Sequence, residues 1–379
     1  MSPFFSQSAW LCLTATAVLG GMLFYRSKSP GKLWNQVLCL AGLWGGACLL
    51  NLSLLWSLLL LSLSCFFLCV CSSDQEFLPV DQKAVLVTGA DSGFGHALVK
   101  HLDKLGFTVF AGVLDAKGSG AEELRKTCSD RLSVLQMDVT KLEQIEDAHS
   151  KVMEKTQDKG LWALVNNAGI FHFPIDGELI PMTSYRKCMA VNFFGAVEVT
   201  KVFLPLLRKS KGRLVNVSSM GAKVPIQLVA AYCSTKAALT MFSSIIRQEL
   251  CKWGVKVAII QPGGFQTNLS GTPEMWSKME KEILDHLSQE TQDDYGQDYI
   301  HTQNFLQTMR DRSFPDISPV IGDIQHAISA RNPSSFYFPG RLTYLWICFI
   351  SYFPTSLVDY ILQKCFAPKH MPRALRASS

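Results

Sequence analysis

Charge is almost missing from the first 71 of the 379 residues, where Arg26, Lys28 and Lys32 are the only charged side chains. That excludes an ordinary soluble domain at the start of the chain, because such a domain needs a charged surface. Paired metal ligands are missing too. The 12 cysteines form no C-x-x-C pair and the 8 histidines no H-E-x-x-H, which leaves no zinc site and no redox dithiol of recognisable spacing. Cys12, Cys39, Cys48, Cys65, Cys69 and Cys71 fall in the charge-poor start, where cysteine serves as a small apolar residue. No lysine-arginine block is interleaved with aromatics, so the net charge of +5 reads as a solvated surface and gives no nucleic-acid partner. No internal repeat is present.

What is there instead is grease: 48% of residues are hydrophobic, and mean hydropathy is +0.16, high for a soluble enzyme. The three early charges divide an apolar run over residues 9–25 from a longer one over 33–71. A spanning helix takes about 20 apolar residues, so the first run makes one short span and the second holds one or two, with Asn51 near the turn. A cleaved signal peptide carries its basic residues before the apolar core; here they follow it, which favours a retained anchor over residues 1–73. The basic loop belongs on the cytosolic side; two later spans return the rest of the chain to the cytosol and one leaves it in the lumen. Residues 341–379 form an apolar segment with a polar tail, in which the stretch 342–362 is broken by Pro354 and carries Asp359. That stretch fits either a membrane-associated interfacial hairpin or a core helix.

Residues 74–340 read as one catalytic domain, with no linker that would split it. Short β-branched runs at 84–88, 108–113, 132–137, 163–166, 213–217 and 256–261 alternate with helical stretches. This predicts an α/β fold built on a Rossmann-type doubly wound parallel sheet. Directly after the first run comes Thr88-Gly89-Ala90-Asp91-Ser92-Gly93-Phe94-Gly95, and then a helix over about 95–105. Glycines there permit a tight turn and close backbone approach to a pyrophosphate seated at the helix start. A second pattern is Tyr232-Cys233-Ser234-Thr235-Lys236, which opens a predicted helix and sets Tyr232 and Lys236 one turn apart on one face. A phenol ordinarily holds its proton up to a pH near 10; an ammonium beside it stabilises the phenolate and makes it a usable base.

The G-x-x-x-G-x-G spacing and the Y-x-x-x-K pair resemble the short-chain dehydrogenase/reductase family. That resemblance implies alcohol–ketone interconversion with a nicotinamide cofactor. In the turn, Gly89, Ser92, Gly93, Phe94 and Gly95 would meet the cofactor. Asp138 and Val139 would touch the adenine, and the Asn166-Asn167-Ala168-Gly169 motif would contribute Asn166, Ala168 and Gly169. Pro262, Gly263, Phe265 and Thr267 would lie on the nicotinamide side. Ser219, 13 residues before Tyr232, would hold the substrate oxygen beside Tyr232. Asn192 would fix a water linked to Lys236, and Lys236 would also hold the nicotinamide ribose. Catalysis thus falls to Asn192, Ser219, Tyr232 and Lys236, substrate contact to Ser219 and Tyr232, and no metal takes part. Val113 stands where many NAD-dependent members carry aspartate; Asp115, two residues on, is its candidate replacement. No lysine or arginine lies in the glycine turn or directly after the second strand, so NAD is the expected cofactor.

The anchor and an apolar pocket point to a lipophilic alcohol. Within the family the resemblance runs to its membrane-bound steroid and retinol dehydrogenases. It implies a steroid substrate oxidised at a 17β-hydroxyl, an endoplasmic reticulum location, and a homodimer through helices such as 231–252. A retinol, an 11β-hydroxysteroid, or a non-catalytic cofactor-binding scaffold are the alternatives. Phe171, His172 and Phe173, with an apolar lid over 268–312 containing Met275-Trp276 and Phe305-Leu306, are pocket candidates, His172 being read as a loop residue. Of three glycosylation sequons, those at Asn51 and Asn216 look inaccessible and that at Asn268 begins a loop.

Overall fold

Valine, leucine and alanine dominate the strand runs, and β1 (Ala84–Thr88) and β5 (Arg213–Val217) are buried at every position, Arg213, Asn216 and Thr88 included. Such strands suit only a sheet covered on both faces. The computed structural model describes residues 76–267, 269, 271, 273–301, 313–340, 342–366 and 371–376. The apolar runs before residue 76, Asn268 and the Phe305-Leu306 pair lie outside the described residues.

With β2 (Thr108–Val113), β3 (Leu132–Gln136), β4 (Ala163–Asn166), β6 (Lys256–Ile260) and β7 (Phe336–Tyr337), the strands form one seven-stranded sheet in the order β3-β2-β1-β4-β5-β6-β7. Every pairing is parallel. The order reverses between β1 and β4, and in open parallel sheets the ligand crevice opens at that point, beyond the carboxyl ends of the strands. The third and sixth strands stop one residue short of their expected ends, and β7 extends the expected six by one.

Helices α1 (Gly93–Lys104), α2 (Ser119–Thr127) and α3 (Leu142–Thr156) follow the first three strands. After β4 come α4 (Met182–Met189) and α5 (Ala196–Ser210), joined by a π-helical turn over Ala190–Gly195. The long α6 (Ala230–Cys251) follows β5. Between β6 and β7 lie α7 (Pro273–His286), α8 (Gln289–Tyr295), α9 (Gln297–His301) and α10 (Ser318–Ser329). The chain closes with α11 (Thr343–Tyr352), α12 (Thr355–Phe366) and α13 (Arg373–Arg376).

Leu98, Val99 and Leu102 of α1, Leu124 of α2 and Val320, Ile324 and Ile328 of α10 cover one face of the sheet. Ile145 and Val152 of α3, Val199, Phe203 and Leu207 of α5 and Leu250 of α6 cover the other. Each fully buried side chain of this size contributes about 1.5–3 kcal/mol of transfer free energy. Among the described residues one helical run, residues 182–210, is long and apolar enough to cross a membrane. Its Val199, Phe203 and Leu207 are spent on the sheet, as in any layer helix of this architecture. The stretch over 342–362 breaks at Pro354 into α11 and α12, with Ile347, Val358 and Leu362 buried in the protein while Tyr352 is 83% exposed. Asn216 is fully buried in β5, out of reach of glycosylation.

Candidate active site

The glycine turn is shaped by contacts that a side chain would abolish. A β-carbon on Gly95 would lie 2.3 Å from the Gly89 carbonyl oxygen, and one on Gly89, whose φ is +65°, would lie 2.7 Å from the Ala168 Cα. The turn is held from behind by a residue not among the expected cofactor contacts. Asn167 Nδ2 donates to the carbonyls of Thr88 and Gly89 at 2.9 and 3.0 Å, while Thr88 Oγ1 accepts from the N–H groups of Asn167 and Ala168. Ser92 stands at the N-cap of α1 without a side-chain cap bond. The first N–H groups of α1 are therefore left to an anion, as a dinucleotide phosphate requires.

Asp91, inside the turn, reaches across to the end of β2, where its carboxylate accepts from Leu114 N–H at 2.9 Å and Asp115 N–H at 3.3 Å. Asp115 is exposed just beyond β2, with Oδ1 accepting from Lys117 N–H at 2.9 Å. Asp138 Oδ1 is engaged by Thr140, and Val139 packs against Gly195 in the π-helical turn. Phe94 and Phe265 meet edge to face at 5.8 Å, and Thr267 lies 3.5 Å from where a Gly93 β-carbon would be. The glycine turn and the Pro262-to-Thr267 segment thus close on each other. The Asn166 side chain turns inward, its amide donating to Thr200 Oγ1 and Asn216 Oδ1 at 2.8 and 2.9 Å inside the helix layer.

The four expected catalytic residues converge. Ser219 sits two residues beyond β5, and Tyr232 and Lys236 lie in the first turns of α6, with Nζ 5.7 Å from the phenol ring centre. Lys236 is buried, and Nζ donates to the Val217 carbonyl at 2.9 Å. Burial pulls the ammonium down to about 8, because a charge without water is costly. Burial pushes the Tyr232 phenol well above its ordinary range, and a hydrogen bond with Ser219 works in the opposite direction. Gly169 fits between the groups: a β-carbon there would be 3.3 Å from Asn192 Oδ1 and 3.5 Å from Lys236 Nζ.

Asn192 lies in the π-helical turn and is fully buried. Its Nδ2 donates to the Ile170 carbonyl and Thr235 Oγ1, both at 3.0 Å, and its Oδ1 accepts from Ile170 N–H at 2.8 Å. The wider turn carries the asparagine inward, where it bridges Ile170 and Thr235.

Beyond the tetrad lies an aromatic wall. Phe171 packs on Tyr232 at 4.8 Å and on Trp276 of α7 at 6.3 Å, and Trp276 also meets Phe173 at 6.0 Å. His172 lies in the loop after β4, as expected, but is buried there, and burial lowers its pKa. It stacks on Phe171, with Nδ1 donating to the Phe173 carbonyl at 2.5 Å. Two further ties hold the covering helices to the loop after β4: Tyr299 Oη donates to Asp176 at 2.6 Å and Tyr295 Oη to Glu178 at 2.9 Å. Nothing in the local sequence signals these pairs, which lie 117 residues or more apart.

The turns fit a dinucleotide and the tetrad fits proton exchange with an alcohol. Comparison with known proteins agrees. A family model for short chain dehydrogenases matches residues 83–278. Estradiol 17-beta-dehydrogenase 2 of Rattus norvegicus is 76% identical, with both chains covered in full. The 11-beta-hydroxysteroid dehydrogenase type 2 of Bos taurus is 46% identical over 79% of this chain and 74% of its own. A solved short-chain dehydrogenase from Streptomyces avermitilis shares the fold, with a TM-score of 0.58 at 23% identity over 76% of this chain and 96% of that one. By its motifs, its sheet order and these likenesses, the chain belongs to the short-chain dehydrogenase family.

Proposed function

We propose that the protein oxidises the 17β-hydroxyl of steroids, estradiol to estrone and testosterone to androstenedione, with NAD as acceptor. The observation that carries this is the convergence of Ser219, Tyr232, Lys236 and Asn192 in a chain 76% identical to a rat protein named for the estradiol 17-beta reaction. Ser219 and Tyr232 Oη grip the hydroxyl, and Tyr232 accepts its proton. Bound nicotinamide would supply the acceptor for the carbinol hydride. Burial opposes ionisation of both Tyr232 and Lys236, so the phenolate depends on the positive charge kept beside it. The aromatic wall excludes water and suits a rigid apolar skeleton.

NAD is favoured by Asp115, an exposed carboxylate just beyond β2 that would accept from a ribose hydroxyl and repel a 2′-phosphate. The charge-poor residues 1–73 and the broken apolar C-terminal segment support membrane attachment, and the lipophilic substrate supports the endoplasmic reticulum as location. Exposed Phe194, Met241 and Ile245, on the π-helical turn and α6, support a homodimer through that face.

Membranes bearing the full chain, given radiolabelled estradiol and NAD, should yield estrone, and Tyr232→Phe should abolish the product. Turnover surviving that change would overturn the assignment. The bovine relative makes an 11β-hydroxysteroid the second reading. Competition among estradiol, an 11β-hydroxysteroid and retinol separates the three, and absence of turnover with all of them would leave a cofactor-binding scaffold.

A further inference from the structure

We propose that the hairpin of α11 and α12 seats on an anionic phospholipid surface, and that this seat props the loop carrying Ser219; the inference rests on the membrane-associated reading above. α11, Thr343–Tyr352, carries no charge in ten residues. One side of the hairpin is used inside the protein: Ile347, Val358 and Leu362 are buried against Val224, with Met220 and Ile226 beside them. The other side is bare, with Leu342 56%, Tyr352 83%, Phe353 50%, Leu357 40% and Tyr360 60% exposed. Five large apolar side chains bared within 19 residues form a patch of the kind that marks an interaction surface.

Length and charge select the occupant. Ten helical residues span about 15 Å, half of a bilayer core, so α11 lies along an interface rather than crossing it. Tyrosine and phenylalanine at the turn suit the headgroup level, where an apolar ring and a wet hydroxyl are both accommodated. From residue 341 onward the chain carries Arg341, Lys364, Lys369 and Arg373, with Arg376 already paired to Asp298 at 2.5 Å, against the single acid Asp359. That excess attracts anionic lipid, whereas a symmetric second copy would bring the same positive charge against itself.

The inner side reaches the catalytic centre. Met220 follows Ser219 directly, and Thr343 Oγ1 lies 2.6 Å from where a β-carbon of Gly263 would be. A cleft of about 370 Å³ runs between Ala222, Val224 and Ala237 on one side and Ile350 and Val358 on the other. A hairpin held by lipid therefore fixes the substrate-side wall next to the bilayer, from which a lipophilic alcohol arrives.

The test uses the full chain in nanodiscs of phosphatidylcholine and phosphatidylserine whose acyl chains are brominated close to the headgroups. Tyr352→Trp adds one tryptophan at the hairpin; Met153→Trp adds one on α3, which shares no core cluster with the hairpin. The emission added at 352 should be largely quenched and that at 153 left intact. An unquenched Trp at 352 overturns the proposal: emission that then changes with the number of copies per disc identifies a second copy as the cover, and emission that does not identifies the chain's own N-terminal segment. Phe353→Asp with Leu357→Asp should raise the apparent KM for bilayer-borne estradiol several-fold and lower kcat as well, because the loop carrying Ser219 loses its prop. An unchanged kcat overturns the coupling to the Ser219 loop. Estradiol turnover by the unsubstituted chain in the same discs tests the proposed reaction separately, so the two can fail independently.

Discussion

Phe171 lies against Tyr232 with ring centroids 4.8 Å apart and the planes tilted by 59°. The contact joins the loop after β4 to the proposed proton acceptor on α6, and the same ring carries the contact on to Trp276. Phe171→Ala leaves Tyr232 without its wall and Trp276 without its neighbour. Removing a half-buried aromatic of this kind costs about 2 kcal/mol. In steady-state kinetics KM for the steroid should rise about tenfold, with a smaller fall in kcat. An unchanged KM would mean that substrate does not touch this wall.

Gly95 gives a sharper case, because the obstruction is backbone. With the Gly89 oxygen 2.3 Å from a would-be β-carbon, Gly95→Ala must push α1 away from the turn or distort the turn itself. The N–H groups left open by the uncapped Ser92 then lose their common focus. Nucleotide binding, followed through quenching of protein fluorescence by the reduced cofactor, should weaken at least about 100-fold, the loss expected when charge-assisted phosphate contacts fail together. Gly93→Ala has room for its methyl, with Thr267 at 3.5 Å, and carries only the strain of φ +58°. It should weaken binding less.

Asp115 decides the choice between the two nicotinamide dinucleotides if its carboxylate faces the adenosine ribose. Asp115→Asn removes the repulsion and keeps the shape, and Asp115→Arg adds attraction for a 2′-phosphate. The ratio of kcat/KM with NADP to that with NAD should climb through the series, by about tenfold or more at the arginine. A ratio that stays flat would shift attention to Asp91, whose carboxylate holds the same stretch of backbone.

The strands were legible because the residues that make them are buried on both faces, so runs such as Ala-Val-Leu-Val-Thr and Arg-Leu-Val-Asn-Val stand out without any alternation to interpret. β7 was not, since Phe336–Tyr337 is two residues long and owes its pairing to β6 beside it. The grouping of the proposed catalytic positions was legible because proton exchange with an alcohol restricts residue type and spacing along a helix. Side-chain direction was not. Neighbouring Asn166 and Asn167 look alike in sequence, yet as strand and post-strand residues they point opposite ways, one into the α5 layer and one onto the glycine turn. The Tyr299–Asp176 and Tyr295–Glu178 ties depend on tertiary folding alone.

Lys236 should be a residue the fold would be more stable without. Its folded pKa, lowered by burial from 10.5 to about 8, lies below that of the unfolded chain, so the unfolded state binds the proton more tightly. The resulting penalty, about 3 kcal/mol at most, is full below pH 8 and fades as pH rises from 8 to 10.5. Lys236→Met keeps the length of the side chain and removes the charge. It also deprives the Val217 carbonyl of its 2.9 Å partner, which returns about 1–2 kcal/mol of the gain. The melting temperature of the variant should therefore exceed that of the unsubstituted protein by a few degrees at about pH 7, and the margin should shrink or reverse at about pH 10. Estradiol oxidation should fall by about a thousandfold over the same range, because the phenolate of Tyr232 loses its nearest positive charge. A variant that is less stable at both pH values would show that the lysine is held by its hydrogen bond more strongly than burial opposes it.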